Sequence, residues 1–297
     1  MDSALTAVAL PLALAVVMFG LGLSLTPGDF ARIARQPKAV VIALLLQLLA
    51  LPVLCFGLVL AFDPPPLLAV GLLLLAASPG GTTANLFSHL YRGDVALNIS
   101  LTALNSVIAV VTLPVVTNLA IGFFEPAGGG TLGLQFGKTL QVFAIVLVPV
   151  ALGMLVRRSA AAFADRMDKP VRILSALVLA LVIAGTIVAE RDDVGEYLRA
   201  VGLPALVFCL CSLGVGFAVP RLLGIGRAQA IASSFEIGVH NSTLAITVAI
   251  SVLGSVELAV PAAVYGVVMF PVAAVFGWAI TRTRTGAGER GDAVPAG

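Results

Sequence analysis

The chain has 297 residues, 60% of them hydrophobic and only 11% charged, with a mean hydropathy of +1.10. A soluble globular chain carries about 25% charged residues, so too little polar surface remains here to cover a water-soluble globule. The same numbers exclude disorder, a collagen repeat and a coiled coil, and a net charge of +2 leaves no dense basic patch for nucleic acid. The expected setting is a lipid bilayer.

A spanning helix needs about 20 apolar residues. On that scale the hydropathy predicts nine spans, at roughly 4–24, 39–62, 65–91, 94–123, 132–156, 170–189, 197–222, 227–253 and 257–281. Turn signals separate them, among them Thr26-Pro27-Gly28-Asp29, Asp63-Pro64-Pro65-Pro66 and Gly128-Gly129-Gly130. The first span has no basic segment before it and no small-residue cleavage site after it, so it reads as a helix and not as a signal peptide.

The second span holds one amide, Gln47, in an otherwise apolar helix, where packing glue is the ordinary reading. The third is interrupted at mid-depth by Ser78-Pro79-Gly80-Gly81, followed by Thr82-Thr83-Ala84-Asn85. Asn98, Thr102 and Asn105 of the fourth share one helix face at i, i+4 and i+7. Cys55, Cys209 and Cys211 lie inside apolar runs and read as small buried hydrophobes. The eighth span is interrupted in turn, by Glu236-Ile237-Gly238-Val239-His240-Asn241-Ser242-Thr243.

Proline removes a helix donor and glycine costs about 1 kcal/mol in a helix interior. Membrane helices accept such breaks where they are buried in protein or line a wet cavity. Two breaks five spans apart lie on helices that run in opposite directions, as an inverted repeat predicts, and such a pair points to a transporter site.

Basic residues fix the expected orientation. With the N-terminus outside, the cytoplasmic side receives Arg32, Arg35, Lys38, Arg92, Arg157, Arg158, Arg166, Lys169, Arg172, Arg221, Arg227, Arg282, Arg284 and Arg290. Only Lys138, Arg191 and Arg199 fall outside, so 14 of the 17 basic residues obey the positive-inside rule. The expected place is the cell (inner) membrane, with the C-terminus cytoplasmic.

Glu236 is the one carboxylate well inside a predicted span. Insertion scales put an acidic residue at the bilayer centre at about 2.5–3.5 kcal/mol, so it needs neutralising. No Lys or Arg lies at comparable depth, which leaves a proton or a metal cation. Enzyme motifs are absent: there is no His-Glu-x-x-His, no Walker loop and no dinucleotide fingerprint. A membrane protease would need a second carboxylate beside Glu236, and Ser88-His89 project from different helix faces near the cytoplasmic end. An ion channel would need polar residues along a whole helix, whereas these cluster at one depth.

Met18-Phe19-Gly20-Leu21-Gly22-Leu23-Ser24-Leu25, with Asp29-Phe30 and Pro37-Lys38, resembles the bile acid:sodium symporter family. So do Ser78-Pro79-Gly80-Gly81-Thr82 with Asn85, Arg92-Gly93-Asp94-Val95-Ala96-Leu97, and Glu236-Ile237-Gly238-Val239-His240-Asn241-Ser242. The resemblance covers nearly the whole chain up to about residue 285. It implies an all-α polytopic fold of two inverted repeats with two crossed broken helices and a panel and a core domain. The chain looks like a nine-helix version lacking the first of the family's ten. Residues 1–285 would form one transmembrane domain. Its panel helices would be those near 4–24, 132–156 and 170–189. Its core helices would be those near 39–62, 65–91, 94–123, 197–222, 227–253 and 257–281, and residues 286–297 would be a cytoplasmic tail.

The resemblance further implies one or two sodium ions. Ala84, Asn85, Asn98, Thr102 and Glu236 match a first sodium site, with Ala84 offering only its carbonyl where the family often has Ser. Gln47, Glu236, Ile237, Val239 and His240 match a second, in which His240 stands where the family usually has Gln. An imidazole nitrogen is a poorer partner for a hard cation than an amide oxygen. That departure leaves one sodium, a shifted ligand set, or a proton on His240. Thr82, Thr83, Asn241 and Ser242 follow the breaks, at helix N-termini suited to an anion. The implied function is sodium-coupled symport of an organic anion, bile-acid-like or a small carboxylate such as pantoate. The alternative is a proton-coupled or facilitative carrier.

Overall fold

The computed structural model describes residues 3–26, 28, 35–126, 136–189 and 194–282. Pro27 and Asp29, the glycine turn at 128–130, Arg32, Arg191, Arg284, Arg290 and the tail after 285 lie outside these residues. The described part is helical, with no strand beyond one isolated bridge.

The helices are α1 (Ser3–Ser24), α2 (Pro37–Phe62), α3 (Pro66–Ala77), α4 (Thr82–Leu90), α5 (Val95–Phe124) and α6 (Phe136–Ser159). There follow α7 (Ala161–Ala189), α8 (Val194–Leu222), α9 (Arg227–Gly238), α10 (Ser242–Val252) and α11 (Val260–Arg282). Their ends follow local chemistry. Prolines 37 and 66 open α2 and α3, where a missing N–H costs nothing. Asp94 caps α5 by accepting the Leu97 N–H at 3.0 Å. Pro52 cannot donate back along α2, and the helix widens there into a π turn over Leu46–Ala50, in which the Leu51 N–H reaches the Leu46 carbonyl.

Two boundaries depart from the hydropathy reading. The predicted sixth span begins near 170, whereas α7 begins at Ala161 and carries Pro170 within it. Hydropathy tracks the apolar slab, and the helix continues past it through charged residues. The eighth span's break covers only residues 239–241 of the polar run from Glu236 to Thr243, because Val239 still donates to the Phe235 carbonyl at 3.0 Å and keeps Ile237 and Gly238 helical.

The surface confirms the medium. Val107, Val111, Val115, Leu119 and Phe123 recur every fourth residue along α5 and are 47–69% exposed. The opposite face of α5 buries Asn98, Thr102, Asn105 and Ser106. Val41, Leu45, Leu49 and Val53 form a second outward apolar stripe on α2. Greasy outside and polar inside is the arrangement of a membrane protein. Among the described residues α2, α5, α8 and α11 are each long and apolar enough to cross a membrane.

α1 packs on α6 and α7, and α8 packs on α9 and α11, with α3 against α5. Gly22 and Gly153 meet between α1 and α6, where a Cβ on either would strike the other helix's backbone. At the centre the two breaks cross. The Gly81 N–H donates to the Val239 carbonyl and the Asn241 N–H to the Pro79 carbonyl, both at 2.8 Å, which sets Gly80 opposite His240 in an antiparallel bridge.

Candidate functional site

Glu236 occupies the last turn of α9 and has no exposed surface. A buried carboxylate must be hydrogen-bonded or paired, and α5 supplies two donors. Thr102 donates its hydroxyl to Oε2 at 2.5 Å, and Asn105 donates its amide to Oε1 at 2.9 Å. Asn98, from the same face, donates instead to the Ala232 carbonyl at 2.7 Å, one turn before Glu236. No basic side chain reaches Glu236 among the described residues. Gly80 lies against the carboxylate from the crossing strand. A Cβ there would sit 2.5 Å from Glu236 Cδ, Oε2 and backbone oxygen, so this approach requires glycine.

The surrounding amides share one habit. Asn98, Asn105 and Gln47 all bond through nitrogen, and their oxygens, with that of Asn85, are buried and unpaired. Native interiors satisfy nearly all buried polar atoms, so repeated orphans at the helix breaks and on the α5 face that holds Glu236 call for a ligand. Amide and carboxylate oxygens are the donor class of hard cations. Ala84 is fully buried and offers only its backbone. Asn85, half-buried on α4, makes no hydrogen bond to Glu236.

Gln47 and His240 meet on one carbonyl. The Ser78 oxygen accepts from Gln47 Nε2 at 3.0 Å and lies 3.1 Å from His240 Nδ1, while Gln47 also donates to Ala76 at 3.3 Å. The π turn of α2 places Gln47 there. Because the Ser78 carbonyl can only accept, Nδ1 carries the proton in the neutral ring and Nε2 keeps a lone pair, which is buried without a partner. Phe208 stacks on the imidazole at 5.5 Å and 12°, and Tyr265 meets it edge-on at 5.4 Å. Tyr265 in turn donates its hydroxyl to the Gly238 carbonyl at 2.8 Å. The Val239 carbonyl is engaged by Gly81, and Ile237 directs its side chain at Gly216 of α8.

Thr82 and Thr83 open α4, half-buried, and Asn241 and Ser242 open α10. The crossing hydrogen bonds bring these two starts together. Asn241 caps α10 by accepting the Leu244 N–H at 3.0 Å, so only its amide N–H groups remain for an anion. The Ser242 hydroxyl is buried and unpaired.

Sequence reasoning placed Asn105 on the polar stripe but outside both proposed ligand sets, yet it grips Glu236 directly. Phe208 and Tyr265 gave no signal at all, since each is one aromatic in an apolar run.

Residues 11–196 match the family model described as the Sodium Bile acid symporter family. The chain is 30% identical over 258 residues to the uncharacterized sodium-dependent transporter YocS of Bacillus subtilis, covering 86% of this chain and 77% of that protein. It is 28% identical over 260 residues to a probable sodium/metabolite cotransporter of Oryza sativa subsp. japonica chloroplasts, covering 86% of this chain. The chain spans 60% of that rice protein's length. It is 25% identical over 241 residues to the human ileal sodium/bile acid cotransporter, covering 80% of this chain and 68% of that protein. The proteins of this comparison are transporters, not enzymes.

Proposed function

The chain belongs to the Sodium Bile acid symporter family, and on that premise we propose that it couples sodium entry to import of an organic anion by alternating access. The observation that carries this reading is the set of buried, unpaired amide oxygens at the helix breaks and on the α5 face that holds the Glu236 carboxylate. Glu236, Thr102, Asn98, Asn85 and the Ala84 carbonyl are the proposed first sodium site, to which we add Asn105. Gln47, Glu236, His240 and the carbonyls of Ile237 and Val239 are the proposed second. Thr82, Thr83, Asn241 and Ser242 would hold the anionic group of the substrate.

The two packing groups support a panel of α1, α6 and α7 that rocks against a core of the other helices. The crossed breaks support the inverted repeat within a nine-span fold, and the basic residues support an outside N-terminus and a cytoplasmic C-terminus. Charge balance supports an anionic cargo. Glu236 with two sodium ions leaves the site at +1, and a carboxylate or sulfonate restores neutrality.

Uptake of labelled small carboxylates into proteoliposomes, with and without a sodium gradient, tests the reading. Sodium-dependent uptake is expected in wild type and is abolished in Glu236→Ala, whereas Glu236→Gln folds and loses coupling. Full transport by the alanine variant would defeat the cation site. A second reading, coupling to protons, draws on the unpaired Nε2 of His240. It requires uptake that needs no sodium and a pH response that disappears in His240→Gln.

A further inference from the structure

Where α4 ends, α9 begins and α11 ends, a cavity of about 500 Å³ opens at the surface. Arg92, Arg227 and Arg282 all line it, beside Leu90, Tyr91 and Ile231, and among the described residues no carboxylate does. Three guanidinium groups converging on one cavity give it the charge and donor set that suits an anion. None of the lining residues belongs to the site around Glu236.

The charges are held in place. Arg227 donates to the Ile280 carbonyl, and the Arg282 guanidinium lies 4.2 Å over the Trp278 ring. Arg92 adopts a left-handed backbone with φ of 61° as the chain turns out of α4. Tyr91 fixes the wall behind them. Its hydroxyl donates to the Ala274 carbonyl at 2.8 Å, and its ring lies so close to Gly277 that no Cβ would fit between. α4 and α11 are therefore clamped around a preformed basic pocket.

What surrounds the pocket selects the anion. Leu90 is 63% exposed, Leu86 one turn before it 52%, and Trp278 50%. Indole rings favour the membrane–water interface, and the leucines face outward like the lipid stripes of α2 and α5. A soluble anion gains nothing from that apolar rim, whereas a phospholipid lays its acyl chains along it. Basic pockets between membrane helices on the cytoplasmic side suit acidic headgroups.

We infer that this cavity seats the phosphate of an anionic phospholipid between Arg92, Arg227 and Arg282. Its assignment to the cytoplasmic leaflet rests on the orientation proposed above; the binding itself does not.

The test uses the full chain in neutral detergent, without sodium or substrate, titrated with dioleoyl phosphatidylglycerol, dioleoyl phosphatidylcholine or inorganic phosphate. Binding is read by native mass spectrometry and by thermal unfolding. Phosphatidylglycerol is expected to bind at least tenfold tighter than phosphatidylcholine, and Arg92→Gln/Arg282→Gln to lose at least tenfold of that affinity. Arg227 is left intact because it also ties a carbonyl. Should the double variant unfold early without lipid, Arg92→Gln alone carries the test, with a threefold or greater loss, since this exposed side chain holds no carbonyl. Equal protection by inorganic phosphate would mean a soluble anion occupies the cavity and would overturn the lipid assignment. Equal affinity for the two lipids, or unchanged affinity in the variants, would overturn the site itself. A failure of sodium-driven uptake would leave these binding results untouched.

Discussion

Asn105 is the residue at which the sequence and the structure part most usefully. It donates to Glu236 Oε1 at 2.9 Å from a fully buried position, matching Thr102 on the other oxygen. A hydrogen bond to a charged group contributes about 1.5–3 kcal/mol, and its loss leaves the carboxylate short of a donor. Its Oδ1 is also buried and unpaired, one of the oxygens assigned above to the proposed sodium site. Asn105→Ala should therefore weaken the apparent sodium affinity of uptake roughly tenfold or more. An unchanged sodium dependence would place Asn105 outside the site. The stripe at 98, 102 and 105 was readable from helical spacing, because buried polar residues on one face are conspicuous in an apolar helix. That Asn105 and Thr102 both end on Glu236 was not readable from spacing, since it depends on how α5 lies on α9, more than 130 residues away. The cage of His240 is harder still. Phe208 and Tyr265 are aromatics in apolar helices, and only the packing of α8 and α11 brings them against His240.

Both helix breaks follow from composition, since Pro79-Gly80-Gly81 and the polar run from Glu236 cannot sit in a lipid-facing helix. Their crossing, however, is long-range. Two backbone hydrogen bonds join segments 160 residues apart in sequence, and nothing local announces that partner. The crossing makes unequal demands on its two glycines. At Gly80 a Cβ would meet Glu236 backbone and carboxylate atoms at 2.5 Å, and backbone cannot swing aside. At Gly81 the nearest atom is the His240 carbonyl oxygen at 3.3 Å, a contact that a small shift relieves. Overpacking a tight site costs about 1–3 kcal/mol. Gly80→Ala should therefore lower the melting temperature and abolish stabilisation by sodium, while Gly81→Ala keeps most of both. Thermal unfolding of the two variants with and without sodium checks this, and equal behaviour would mean the carboxylate can move away from the strand. The break in the eighth span is shorter than its polar run suggests. Backbone hydrogen bonding holds Ile237 and Gly238 in α9 even where side-chain composition turns polar.

At the scale of the molecule, the proposed transport raises the question of how much charge would cross the membrane in one cycle. Glu236 stays with the protein, so the cargo decides. Two sodium ions with a monoanion carry a net +1, whereas one sodium with a monoanion carries none. A potential of 100 mV acts on each transported charge with about 2.3 kcal/mol, equivalent to roughly a fifty-fold change in the attainable gradient. The proposed second ion would depend on Gln47 and His240, which share the Ser78 carbonyl through their nitrogens and leave Oε1 and Nε2 unpaired. Those two free acceptors lie beside a crossing whose other carbonyls are partly taken. On the two-ion reading an inside-negative potential should strongly accelerate sodium-driven uptake, with a Hill coefficient for sodium above one. Removing the amide in Gln47→Leu should then reduce both the coefficient and the voltage response, leaving the first site's sodium requirement in place. The measurement is uptake into proteoliposomes at fixed sodium gradient, with the potential set by potassium and valinomycin. Uptake indifferent to voltage in wild type would show that His240 has displaced the second sodium, and the coupling would rest on Glu236, Thr102 and the asparagines alone.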